Sequence, residues 1–256
     1  MSVLLSARDL RLAFGGLKAA DGIDLDVEGG EFLAIIGPNG AGKTTFINMT
    51  TGYLKPQGGS IRFDGQPILG LSPRRIVALG IARSFQLPQL FTEHTVLQNV
   101  ALAVAAREGR LSLMAPLLRR AFRDEAAELI GRFGLSGVAE ARADALNEGT
   151  RKLVDIAMAV ALRPRLIMMD EPTSGVAASE KMAIVETLVR VLRGAGVTAV
   201  FVEHDMDVVG RFADRVAVWG QGRIAALGPP REILNDPEVQ RTVIGIVPAG
   251  GVHAPA

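Results

Sequence analysis

The sequence contains no cysteine, which excludes disulfides, iron–sulfur clusters and thiolate zinc sites. It carries no excess of charge either. Its 28 lysines and arginines stand against 27 aspartates and glutamates, for a formal net charge of +1, so no nucleic-acid partner is expected. It has no apolar run of membrane length. TVLQNVALAVAA (95–106) stops at about twelve residues, where a spanning helix needs about twenty. The opening MSVLLSARDLRL meets charge at Arg8 and Asp9 and does not read as a signal peptide. There is no internal repeat.

What is present is a large apolar fraction, 48% of 256 residues, enough for one large domain or two small ones. The positive mean hydropathy fits a large buried core or a surface covered by a partner. LLSARDLRLAF and GIDLDV alternate as strands, joined near Gly15 and Gly16. EFLAIIG and RLIMMD are continuous apolar runs of the kind found in central strands. SIRFDGQPI reads as an edge hairpin turning at Asp64–Gly65. SPRRIVALG reads as a helix capped by Ser72, with Pro73 at its first position. Residues 95–133, 150–162 and 179–193 read as helical; VTAVFVE, RVAVW and GRIAALG read as strands. The pattern is α/β with a helix-rich block inserted around 93–160. The tail PAGGVHAPA has a composition expected to be disordered.

GPNGAGKT (37–44) follows the strand AIIG and precedes a helix expected to begin near Gly42, the context a phosphate-binding loop requires. Glycines let backbone N–H groups converge on phosphate oxygens, and the following helix adds its positive end. In this loop Gly37, Pro38, Asn39, Gly40, Ala41, Gly42, Lys43, Thr44 and Thr45 are the candidate phosphate contacts. Lys43 supplies a point charge to the β/γ-phosphates and Thr44 a hydroxyl to Mg2+. The second anchor is IMMDE (167–171). A carboxylate at the end of a buried strand is costly without a counter-ion, so Asp170 is expected as an outer-shell Mg2+ partner and Glu171 as the general base or orienter of a water near a γ-phosphate; the plainer reading is two carboxylates flanking a turn before Pro172. Three further residues fit the same centre, each beside a plainer reading. Gln86 either binds Mg2+ and the attacking water or is a surface glutamine. His204 either bonds the γ-phosphate or is a satisfied core or cap histidine. Phe14 either stacks on adenine or is a core aromatic.

In order, GPNGAGKT, Gln86, LNEGT (146–150), IMMDE and His204 resemble the nucleotide-binding subunit of an ATP-binding cassette (ABC) transporter. The resemblance spans roughly residues 4–245. It implies a P-loop NTPase core with an antiparallel β-subdomain and an inserted α-helical subdomain, residues 93–160 lying within a 1–245 cassette and 246–256 forming a tail. In this family two cassettes pair head to tail, each ATP lying between one phosphate loop and the other subunit's signature segment. LNEGT aligns with that signature, usually LSGGQ, so Asn147 and Gly149 are expected to face a partner's nucleotide. Two positions depart from the pattern. Glu148 brings negative charge toward a triphosphate, and Ala177 of SGVA replaces a coupling aspartate. Together they suggest a heterodimer with unequal sites.

Finer likeness, in FGGLKAADGIDLDV, GIARSFQLPQLFTEHTVLQNVALA and REILNDPEVQRTVIG, points to the longer ATPase of branched-chain amino acid importers. Such a subunit implies ATP and Mg2+, a second ABC ATPase, two transmembrane permeases, and indirectly a periplasmic solute-binding protein. It would sit at the cytoplasmic face of the bacterial inner membrane. Leu87, Leu90 and Phe91 either receive a permease helix or pack inside the helical block. Importers of urea, amides, or aromatic and carboxylate solutes remain alternatives, as does a non-transport scaffold ATPase. A catalytically weak regulatory subunit and a small-molecule kinase fit the motif set less well.

Overall fold

The computed structural model describes residues 2–108 and 119–241. The strands are β1 (Val3–Phe14), β2 (Leu17–Glu28), β3 (Phe32–Ile36), β4 (Gly58–Phe63), β5 (Gln66–Pro67), β6 (Ile81–Ser84), β7 (Leu166–Asp170), β8 (Thr198–Val202), β9 (Arg215–Gly220) and β10 (Arg223–Gly228). The helices are α1 (Lys43–Thr50), α2 (Pro73–Leu79), α3 (Val96–Arg107), α4 (Arg120–Arg132), α5 (Glu148–Ala161), α6 (Ala178–Gly194), α7 (Met206–Phe212), α8 (Pro230–Asn235) and α9 (Pro237–Val239). The expected 246–256 tail, and the middle of the segment between TVLQNV and LNEGT, lie outside the described residues.

β2, β1, β4 and β5 form an antiparallel sheet, with the hairpin turn at Gly15–Gly16 and the β4–β5 edge hairpin where the alternation places them. The second sheet has the order β10-β9-β3-β8-β7-β6. Its strands β9, β3, β8, β7 and β6 are parallel, and β10 closes one edge antiparallel. Every residue of β3, β7 and β8 is buried, so each strand must be apolar on both faces.

Alternation divides those faces between two cores. Phe32, Ala34, Ile167, Met169, Ala199 and Phe201 pack with apolar residues of α3, α4, α5 and α6. Leu33, Ile35, Leu166, Met168, Val200 and Val202 pack with β1, β2, β4 and α1. The parallel sheet is thus the middle layer, roofed by helices and floored by the antiparallel sheet.

α3 starts with a reciprocal capping box between Thr95 and Gln98. Ser72 occupies the cap position of α2, but its side chain makes no cap hydrogen bond; Pro73 at the first turn sets that helix entry. For function, the parallel register matters most. β3, β6, β7 and β8 all end along one sheet edge, and Gly37, Phe85–Gln86, Glu171 and Glu203–His204 follow those ends directly.

Candidate nucleotide site

The loop between β3 and α1 closes tightly on the layer beneath it. A Cβ at Gly37 would lie 2.3 Å from the Trp219 carbonyl oxygen, and one at Gly42 would lie 2.0 Å from that of Ala19. Gly42 also has φ 103°, so only glycine serves there. The Ala41 carbonyl accepts from Gly222 N (3.1 Å), whose own carbonyl accepts from Asp21 N (2.9 Å), tying the loop to the β9–β10 turn and to β2. Trp219 is fully buried below, its ring centroid 5.3 Å from that of Phe46, and its indole N–H has no partner among the described residues. Pro38, Asn39 and Gly40 are exposed, Ala41 is buried and Thr45 is half-buried. A cavity of about 610 Å3 runs from Pro38–Ala41 to Leu17 and Lys18 of the hairpin. Phe14, paired with Leu17 across that hairpin, is half exposed.

Lys43 is only 6% exposed. Its ammonium donates to the carbonyl oxygens of Gly37 (2.7 Å) and Pro38 (2.9 Å), and burial depresses its pKa. A buried cation held by neutral carbonyls is an incomplete arrangement, and an anion in the loop completes it.

Across the edge, Thr44 Oγ1 lies 3.3 Å from Asp170 Oδ1, and Arg83 lies 3.6 Å from the other oxygen. Burial pushes the Asp170 carboxyl up, against the opposing pull of Thr44 and Arg83. Glu171 adopts φ 52°, a left-handed backbone that costs a non-glycine residue about 1–2 kcal/mol. The twist turns its side chain toward two partners. Gln86 Nε2 donates to Oε2 at 2.9 Å, and His204 Nε2 lies 3.0 Å from Oε1.

Thr44 and Asp170 are hard oxygen donors beside a phosphate loop, a set that suits Mg2+ sharing its coordination with phosphate and water. The buried Lys43, the glycine-walled loop and this donor pair fit a Mg2+–nucleoside triphosphate.

The ABC transporter family model matches residues 20–174, more than half of the chain. The chain belongs to the ABC transporter ATP-binding cassettes.

The Escherichia coli high-affinity branched-chain amino acid transport ATP-binding protein LivG is 36% identical over 249 residues, covering 94% of this chain and 98% of LivG. A crystal structure of the ADP conformation of an ABC transporter cassette superposes with TM-score 0.85 at 32% identity, covering 96% of this chain and all of that one. A dimeric post-hydrolysis cassette bound to ADP and Pi gives TM-score 0.76 at 25% identity, over 89% of this chain and 99% of that one. The cassette has the P-loop NTPase fold that the motif order implies, with its mixed core and helical part. Among the described residues no helix is long and apolar enough to cross a membrane.

In the signature segment, Asn147 is the N-cap of α5, its Oδ1 accepting from Thr150 N at 2.8 Å. Asn147 is exposed and Gly149 is buried. Glu148 lies along the loop after Glu171, its Cγ 3.3 Å from where a Gly175 Cβ would stand. Ala177 is the N-cap of α6 and offers no side-chain cap. The two sequence departures therefore sit on neighbouring segments. Of the three apolar residues near Gln86, Leu87 and Phe91 are exposed, while Leu90 packs on the helical core.

Four supporting residues escape a motif-based reading. Arg83 stacks on Phe85 (4.8 Å) and Tyr53 (5.5 Å) and is the counter-cation of Asp170. Glu203, buried and with its pKa raised by burial, accepts from Thr173 Oγ1 (2.7 Å), Thr173 N (3.2 Å) and His204 N (3.1 Å). It holds the backbone on both sides of the Glu171–His204 contact. Lys152 and Asp155 reach the site from α5. The signal was available for each: a charge inside a buried strand end or an apolar helix run, the argument already applied to Asp170.

Proposed function

We propose that the cassette binds Mg2+-ATP and hydrolyses it to power uptake of branched-chain or related amino acids through a pair of membrane permeases. The supporting observation is the grip of Gln86 and His204 on opposite oxygens of Glu171, at the sheet edge that also presents Lys43 and Asp170. The amino-acid reading rests on the full-length likeness to LivG.

The chemistry is γ-phosphoryl transfer to water. Glu171 orients the water and accepts its proton as the new P–O bond forms and the β–γ bridge breaks. Lys43 leaves the Gly37 and Pro38 carbonyls for the β/γ-phosphates, and His204 and Gln86 hold the catalytic carboxylate and the γ-phosphate in register. The loop amides of 37–45 cradle the phosphates, and the adenine lies toward Phe14 and Leu17. Thr44, Asp170 and Gln86 would hold Mg2+, which would supply positive charge against the phosphate oxygens.

Residues 1–245 act as one cassette, with 93–160 as its helical part and 246–256 outside it. It docks peripherally at the cytoplasmic face of the inner membrane, with Leu87 and Phe91 toward a permease helix, and a periplasmic binding protein delivers the solute. The second nucleotide-binding subunit is a different ABC ATPase. Asn147 and Gly149 reach that partner's nucleotide, and the composite site they complete is the weaker of the two, because Glu148 adds charge there and Ala177 lacks a coupling carboxylate.

The experiment is reconstitution with the permeases and partner cassette, followed by ATP hydrolysis and uptake of radiolabelled leucine. Hydrolysis stimulated by binding protein and leucine is the expected result. Stimulation by another solute class alone would reassign the cargo, and no hydrolysis would overturn the ATPase reading.

A further inference from the structure

α5 carries an apolar run, LVDIAMAVA, that buries against α3, α4 and the sheet. Two charges interrupt its buried surface. Lys152 is 3% exposed and Asp155 is 7% exposed, and at i,i+3 spacing they share one face. Buried charges are costly to retain unless hydrogen bonds replace the lost water.

Here the bonds are to the backbone of the functional site. Asp155 Oδ2 accepts from Phe85 N (3.1 Å) and Oδ1 from Gln89 N (3.0 Å). Those amides bracket Gln86 in a stretch with no helix or strand of its own. Lys152 Nζ donates to the Gln86 carbonyl (3.3 Å) and to the Glu171 carbonyl (2.9 Å). Four contacts thus attach the backbones of the glutamine loop and of the catalytic glutamate to a single helix face, one turn and more beyond the Asn147 cap.

We propose that Asp155 is a positioning residue for ATP hydrolysis. It clasps both ends of the Gln86 loop, so Gln86 keeps its place on Glu171 and moves with the helix that begins at the signature segment. Asp155 is buried, and each of its oxygens is taken up by a backbone amide. It acts through Gln86, and the inference rests on the reading that Gln86 and Glu171 serve hydrolysis. A carboxylate suits the task because both oxygens accept. An asparagine of nearly the same shape turns one acceptor into a donor and sets it against an N–H.

The test uses the full cassette in its reconstituted transporter with Mg2+-ATP, comparing wild type, Asp155→Asn and Asp155→Glu. Asp155→Asn is expected to lower kcat roughly ten- to hundred-fold through misplacement of the loop, while KM for ATP changes less than about two-fold. Asp155→Glu, which keeps two acceptors, recovers part of that loss. Hydrogen exchange on the purified chain is expected to show the Phe85 and Gln89 amides losing protection in Asp155→Asn while the melting temperature holds or rises. An unchanged kcat in Asp155→Asn overturns the proposal, as does a loss of activity that follows only a loss of fold. If wild type itself does not hydrolyse ATP, the ATPase reading fails, and the exchange data still decide the clasp: unchanged protection of the two amides overturns it, and lost protection supports it.

Discussion

The ammonium of Lys43 lies 2.7 Å from the carbonyl oxygen of Gly37, inside the loop between β3 and α1. The loop is closed on its own lysine. Nucleotide binding has to exchange two ammonium–carbonyl hydrogen bonds for ammonium–phosphate ion pairs, and a hydrogen bond to a charged group contributes about 1.5–3 kcal/mol. Lys43→Ala should therefore weaken Mg2+-ATP binding roughly ten- to hundred-fold without unfolding the chain. Titration calorimetry measures it, and an affinity equal to wild type would remove Lys43 from the site.

Glu171→Gln keeps the shape of the side chain held by Gln86 and His204 but removes its basicity. Hydrolysis should fall by about two to four orders of magnitude, with ATP still bound. Light scattering of the cassette and its partner with excess ATP should then show an accumulated dimer. A turnover rate like that of wild type would mean that another group accepts the proton.

The proposed inequality of the two composite sites is checked in the assembled transporter. Lys43→Ala disables the site built on this chain's loop, and the equivalent substitution in the partner disables the other. The second should leave the larger residual hydrolysis. Glu148→Gly should raise the activity left by the first, because it withdraws a carboxylate from the signature helix start. Equal residual rates, together with no effect of Glu148→Gly, would mean equivalent sites.

Asp155 also predicts a pH dependence of stability. Burial pushes its carboxyl up to about 6 from an ordinary 3.8, against the opposing pull of two backbone amides and Lys152. Between those values the folded chain binds the proton more tightly than the unfolded chain. This group's contribution is therefore fully present below pH 3.8, declines as pH rises toward about 6, and is lost above it. Asp155→Asn removes the dependence. The melting temperature of the variant relative to wild type should be highest above neutrality and should drop as pH falls through 6 toward 4. A difference that stays constant over that range contradicts the shift. Acidification should also weaken the loop clasp, since a protonated carboxyl gives up an acceptor, so hydrolysis and this part of the stability should move in opposite directions.

Much of this was legible beforehand, for a physical reason. GPNGAGKT needs particular residues at a strand–helix junction, and the buried runs of β3, β7 and β8 admit few placements. Gln86 and His204 were marked by order along the chain, yet only the fold brings residues 85 and 33 positions from Glu171 onto its two oxygens. The left-handed backbone of Glu171 could not be read, because Glu-Pro-Thr carries no glycine to announce it. Lys152 and Asp155 were visible as charges in an apolar helix, but their partners are main-chain groups, which have no letter in a sequence. Asn147 shows the same limit: its polar side chain serves its own helix, and the sequence alone did not divide that duty from one across an interface.

The chain has a single tryptophan, and it forms the floor of the phosphate loop. All indole emission of the unlabelled cassette therefore originates from one ring against Phe46, its N–H without a partner among the described residues, below the backbone that Lys43 must release. The molecule carries its own optical probe at the place where nucleotide arrives. Stopped-flow fluorescence can time the opening of that loop directly, and in a heterodimer whose partner lacks tryptophan it would follow one of the two sites alone.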